Sequence, residues 1–216
     1  MAFYTPKQDA DAPAPGRPDG SGLPDVLLIG DSISQGYTGP VREILKDVCD
    51  VQRPRANCGD TRSGLENIDA WLGGRRWDLV HFNWGLHDIC YRHPDSKVYG
   101  NRDKVNGTLS VAPEDYAADL ERLVLRLKES AERLVWASTT FVPEGEAGRH
   151  QGDEARYNEL AAGVMERHGV PTDDLHRLTR AFPASMFTCP GDVHYTPEGY
   201  AEIARAVAAC IRERLT

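Results

Sequence analysis

Val26-Leu27-Leu28-Ile29-Gly30-Asp31-Ser32-Ile33-Ser34 is an apolar run that breaks off at a glycine and continues with an acid and a serine. Pro40 then opens a segment with Val41, Ile44, Leu45 and Val48 at helical spacing. The pattern reads as a buried strand from about Asp25 to Gly30, a tight turn, and a helix from about Pro40 to Asp47. Ser32 falls at the carboxyl end of the strand, the edge at which open α/β sheets bind ligands. A serine there is either a reactive hydroxyl or a cap for the segment that follows, and the stretch alone leaves both open.

Outward from that stretch the alternation continues. Cys49 to Arg53 reads as a short second strand, and Ser63-Gly64-Leu65-Glu66 has capping-box spacing ahead of Ile68 and Leu72. Trp77 to Gly85 is a third strand, again ending at glycine. The polar stretch from Ile89 to Ala112 reads as a loop or lid. Pro113 opens a helix with Tyr116, Leu120, Leu123, Val124 and Leu127 on one side; Arg133 to Thr140 is a fourth strand and Gly169 to Asp173 a fifth. A helix carrying Tyr157, Leu160, Ala161 and Val164 lies between those two strands. Thr196 and Pro197 have cap and first-turn character before the final helix. Strands alternating with helices predict a parallel sheet covered on both faces, in one α/β domain over residues 24–216. Residues 1–23, rich in Pro, Gly, Ala and Asp, read as a flexible arm.

At 216 residues the chain is long enough to enclose a core. The net charge of -8 argues against a nucleic-acid or anionic-membrane partner, and no apolar run approaches the roughly 20 residues of a membrane span. The mean hydropathy of -0.50 fits a soluble protein. The amino terminus has no basic head followed by an apolar stretch, so a cytoplasmic location is expected, a mature secreted form being equally compatible. Five cysteines without ligand spacing predict no metal site. Cys58, Cys90 and Cys189 lie beside the stretches treated next, which leaves a disulfide among them open.

A serine hydroxyl needs a base to take its proton and donors to hold the oxyanion that forms. His194, in Asp192-Val193-His194, is the base candidate; Gly59, in Gly59-Asp60-Thr61, and His87, in Gly85-Leu86-His87-Asp88, are donor candidates. The last two stand just past the predicted ends of strands two and three, on the same sheet edge as Ser32.

Taken in order, Gly30-Asp31-Ser32, Gly59-Asp60-Thr61, Gly85-Leu86-His87-Asp88 and Asp192-Val193-His194 resemble the four blocks of the SGNH (GDSL-type) hydrolases. The resemblance spans about Asp25 to the carboxyl terminus. It implies a flavodoxin-like three-layer α/β/α sandwich with a five-stranded parallel sheet, and ester hydrolysis through an acyl-enzyme with no metal or organic cofactor. It also implies that Ser32 is the nucleophile, that His194 is the base and later the acid, and that the Ser32 and Gly59 amides line the oxyanion hole. His87 stands where the family usually has an asparagine, and a neutral imidazole still offers one N–H. Asp88 is expected to fix the turn or orient His87 without titrating.

The family's orienting aspartate sits three residues before the histidine, and that position here is Gly191. Either Asp192 serves from a loop slipped by one residue, or Ser32 and His194 act as a dyad with a backbone carbonyl on the ring.

Other residues are weaker candidates. Tyr37, Trp84 and Tyr91 are candidate walls for a sugar or acyl pocket, Trp84 being equally a core residue. Arg53, Arg55 and Arg62 either meet an anionic substrate or face solvent. His81, inside a strand, reads as a packed core histidine, and Asp31 and Asp60 as turn residues.

The expected activity is removal of a short acyl group, acetyl first, from a small hydroxylated or carbohydrate-like ester. A thioesterase, a lysophospholipase or an acyltransferase would use the same chemistry. A ligand-binding module with a degenerate triad is the reading from another class.

Overall fold

The computed structural model describes residues 22–216. Of the arm expected over residues 1–23, all but the last two residues lie outside that range. The elements run β1 (Asp25–Ile29), α1 (Ser32–Leu45), β2 (Asp50–Gln52), α2 (Thr61–Leu72), β3 (Trp77–Phe82), β4 (Tyr91–Arg92) and β5 (Thr108–Leu109). They continue with α3 (Pro113–Ser130), β6 (Ala131–Ala137), α4 (Asp153–His168), β7 (Thr172–Asp173), α5 (Leu175–Arg180) and α6 (Pro197–Leu215).

A five-stranded sheet in the order β2-β1-β3-β6-β7 forms the middle layer, and every pairing in it is parallel. β1 is solvent-free from Val26 to Ile29, as a strand covered on both faces must be. α1 packs on α6, while α2, α3 and α4 pack against one another in succession. The result is the expected three-layer α/β/α sandwich. From β1 the chain steps to β2 on one side and then to β3 on the other. The crevice at the carboxyl end of β1 is therefore the topological switch point, where such sheets hold their ligands.

Local chemistry moved several boundaries. α1 starts at Ser32 itself, not near Pro40, because Asp31 Oδ1 accepts from the Ile33 N–H at 2.9 Å and caps the helix at once. Pro40 consequently lies inside the helix. Gly36, which looks like a breaker, is a packing glycine: a Cβ there would come within 2.2 Å of the Tyr200 ring on α6. α2 also starts early, at Thr61, with Asp60 and not Ser63 as its cap. β3 stops at Phe82 and β6 at Ala137, short of Gly85 and Thr140: one further N–H on each, of Asn83 and Ser138, still bonds to the neighbouring strand, but the Thr139 N–H goes to Asn158 Oδ1 instead. Residues 89–112 are not structureless: β4 and β5 pair as a small antiparallel ribbon around a 3-10 turn at Tyr99–Asn101. α5 and a second 3-10 turn at Ala184–Met186 had no signal in the hydrophobic pattern, being too short to show a period.

Candidate active site

Ser32 is the first residue of α1, directly after the β1 turn, so its hydroxyl stands on the sheet's carboxyl edge. The turn is tied down from the side. The Cys58 N–H donates to the Gly30 carbonyl at 3.2 Å, and Arg53 Nη2 reaches the Gly30 and Ala56 carbonyls and Ser34 Oγ at 3.3 Å each. Arg53 thus fastens the loop after β2 to the serine turn. Arg62 is similarly engaged, with the Ser110 carbonyl and Asp115, and Arg55 is exposed.

Folding brings Ser32 and His194, 162 positions apart, to 2.9 Å between Oγ and Nε2. On the ring's other side His194 Nδ1 lies 2.7 Å from Asp192 Oδ1. With the Nδ1 proton directed at the carboxylate, Nε2 is the acceptor for the serine hydroxyl. Thr188, which carries no recognisable motif, donates from Oγ1 to Asp192 Oδ2 at 2.8 Å, and its N–H donates to the His194 carbonyl at 3.0 Å. Burial pushes the Asp192 carboxyl up, but hydrogen bonds from the His194 ring, Thr188 and the His194 N–H outweigh it. The group titrates below its ordinary value.

The slip of one residue relative to the family pattern has a steric cause. Gly191 adopts φ 75, and a Cβ there would sit 2.8 Å from the Gly145 carbonyl oxygen. No side chain fits at that position. The chain reaches back toward His194 only at Asp192.

A cleft of about 400 Å³ opens over this group. Ser32, Asn57, His87 and His194 line it together with Arg92, Tyr99, Arg102 and Arg149. The 89–112 segment therefore supplies one wall. Among the described residues no hydrogen bond engages the His87 ring. Burial, with the Arg149 and Arg92 guanidiniums, draws its pKa below the ordinary value against the opposing pull of Asp31 and Asp60, so the imidazole is neutral at pH 7.

The Gly59 N–H donates to Asn57 Oδ1 at 3.1 Å. Asn57 is a site residue the motifs do not reveal. Asp88 is fully buried and accepts from the Thr61 N–H at 2.9 Å and from Thr61 Oγ1 at 2.6 Å, linking the loop after β3 to the start of α2. Among the described residues its Oδ2 is buried without a hydrogen-bond partner, and burial raises the carboxyl to about 7, so it titrates near neutrality, contrary to expectation.

The aromatic candidates are displaced as well. Trp84 is fully buried, with Nε1 donating to the Cys58 carbonyl at 3.3 Å, and Tyr37 is buried edge-on to His81. Neither is a cleft wall, because both side chains point into the helix–sheet core. Tyr91 does not line the cleft; its ring lies against His150. Tyr99 lines the cleft instead. His81 is a core residue, its Nε2 3.0 Å from Asp173 Oδ2. Among the described residues no cysteine is joined in a disulfide, no cluster of three His, Cys, Asp or Glu side chains could hold a metal ion, and no helix is long and apolar enough to cross a membrane.

The model of the GDSL-like lipase/acylhydrolase family matches residues 28–202. The chain belongs to that family. This GDSL-like acylhydrolase is an SGNH-type serine hydrolase, and its fold is shared by solved structures at low sequence identity. The lipase/acylhydrolase from Enterococcus faecalis superposes with a TM-score of 0.72 at 18% identity, over 90% of this chain and 98% of that one. An acetyl xylan esterase gives 0.69 at 15% identity, over 86% and 98%. The acetylxylan esterase Axe2 from Geobacillus stearothermophilus gives 0.66 at 16% identity, over 89% and 94%. A search of curated proteins returns no match to the acylhydrolase.

Proposed function

We propose that this acylhydrolase is a serine esterase that removes a short acyl group, acetyl first, from a small hydroxylated or carbohydrate-like ester. The observation that carries the reading is the unbroken line Ser32 Oγ, His194 Nε2, His194 Nδ1, Asp192 Oδ1, with separations of 2.9 Å and 2.7 Å.

Ser32 Oγ attacks the acyl carbon while its proton passes to His194 Nε2. The carbonyl π electrons move onto oxygen, giving a tetrahedral oxyanion. Collapse re-forms the carbonyl and breaks the ester C–O bond, and His194 returns the proton to the departing alcohol oxygen. Water then attacks the acyl-serine, with His194 taking its proton, and the second collapse releases the acid and restores the hydroxyl. The Asp192 carboxylate holds the ring in the needed tautomer and favours its charged form. The Ser32 N–H, at the first turn of α1, and the neutral His87 ring are the oxyanion donors. The Gly59 N–H joins them once it exchanges Asn57 Oδ1 for the substrate oxygen.

A short acyl chain is favoured because Leu86 and Val193 are the cleft's only aliphatic side chains among the described residues. A fatty acyl group would bury its chain against charged and polar groups. Two of the structural relatives are acetyl xylan esterases by name, which supports acetyl and a carbohydrate-like alcohol. Hydrolysis of p-nitrophenyl acetate, lost in Ser32→Ala and falling with acyl length, is the expected result. No turnover, together with no labelling of Ser32 by a fluorophosphonate, would leave a binding module in place of an enzyme.

A further inference from the structure

The arginines that stand in the cleft are not those that flank the sequence motifs. Arg92, Arg102 and Arg149 line it. Arg92 and Arg102 oppose each other across an antiparallel bridge, an arrangement in which like charges are destabilising. The neighbouring carboxylate, Glu146, is fully buried and accepts from Arg102 Nη1 at 2.6 Å and Arg149 Nη1 at 3.0 Å. One carboxylate therefore serves two guanidiniums. Arg92 is left with a neutral acceptor, the Gly100 carbonyl, and Arg149 Nε with the Leu86 carbonyl at 2.6 Å. Of the acids at the serine end, Asp192 is engaged with His194 and Asp31 Oδ1 with the Ile33 N–H, while Asp31 Oδ2 takes no hydrogen bond among the described residues. Nη2 of all three arginines takes no partner among the described residues. In a chain of net charge -8, this wall concentrates unneutralised positive charge, and Arg149 is only 5% exposed. A local cost of this kind is recovered when an anion arrives.

We propose that Arg92, Arg102 and Arg149 form an anion subsite, so that the ester cleaved here carries a carboxylate or phosphate group seated against the 89–112 segment. Guanidiniums suit both anions, since each offers paired oxygens to a planar fork of N–H donors. The position of His87 beside Arg92 and Arg149 makes the subsite continuous with the reacting centre. The inference rests on the esterase reading for the nature of the substrate, but the subsite itself is testable without turnover.

Three aryl acetates of similar shape serve as probes: 4-acetoxybenzoate, 4-acetoxyphenyl phosphate and the neutral methyl 4-acetoxybenzoate. Their binding to Ser32→Ala is measured by calorimetry at low salt, and their kcat/KM with the parent enzyme. At least one anionic ester should bind tenfold or more tighter than the neutral one, and show a similar advantage in kcat/KM. The advantage should shrink as salt is raised. The better of the two anions identifies the substrate's charged group. Arg92→Gln and Arg102→Gln, each checked for an unchanged unfolding midpoint, should each cut the anionic-to-neutral ratio at least threefold. Equal binding of all three probes, or a ratio indifferent to both substitutions, overturns the subsite. Ser32-dependent turnover with no anionic advantage would leave the esterase standing and remove this inference. An anionic advantage in binding with no turnover of any ester would do the reverse.

Discussion

Asp192 Oδ1 lies 2.7 Å from His194 Nδ1 across a single intervening residue, Val193, and the same oxygen accepts the His194 N–H at 3.2 Å. A carboxylate this close in sequence reaches both ring and backbone because the chain turns sharply at Gly191. Thr188 holds the second oxygen, so the acid has little freedom to leave.

Asp192→Asn keeps the shape and loses the charge. Turnover of p-nitrophenyl acetate should fall on the order of 100-fold or more, as expected when the ring's tautomer is no longer enforced. A loss under threefold would mean that backbone contacts alone orient His194.

Gly191→Ala should destabilise the fold by roughly 1–3 kcal/mol, since φ 75 disfavours a side chain and the Gly145 carbonyl occupies its space. Urea unfolding measures the loss. Turnover should fall with it, as the loop shifts Asp192 away from the ring. A variant as stable and active as the parent would show that the loop yields easily.

His87→Ala should lower kcat by roughly 100- to 1,000-fold, the usual cost of one oxyanion donor, with His87→Asn recovering much of it. The asparagine variant should also lose any component of the pH profile due to this imidazole, whose lowered pKa places its protonation on the acid side of neutrality. Equal rates in the alanine and asparagine variants would exclude a donor at this position.

Asp88 links pH to stability. Its carboxyl is raised from 3.8 to about 7, so the folded chain holds this proton more tightly than the unfolded one. Its contribution is greatest below about 4, declines as the pH rises, and is fully lost above about 7. Asp88→Asn keeps an acceptor for Thr61 and removes the buried charge. Between pH 5 and pH 8 the variant should gain stability on the parent by on the order of 2 kcal/mol, read from urea midpoints. A gap between the two that does not change with pH would show that this carboxyl does not titrate in that range.

The strand–turn–helix alternation was legible because burial on both faces forces apolar runs, and glycine and proline mark where they end. Pro40 misled because capping by Asp31 and packing of Tyr200 on Gly36 outweigh the penalty of a proline within α1. The short elements α5, β4 and β5 left no period to read. Trp84 and Tyr37 stood beside motif residues in sequence, yet a step of one or two residues at a strand end or along a helix turns a side chain from the cleft into the core.

The sequence by itself determined the α/β class, the serine at the end of the first strand, and the histidine before the last helix, since these depend on local patterns and residue types. Only the tertiary structure decided which acid meets His194, that Asn57 engages the Gly59 N–H, and which arginines face the cleft. Those are relations between segments far apart in the chain, set by sterics at positions such as Gly191 and by which hydrogen-bond partners the fold leaves over.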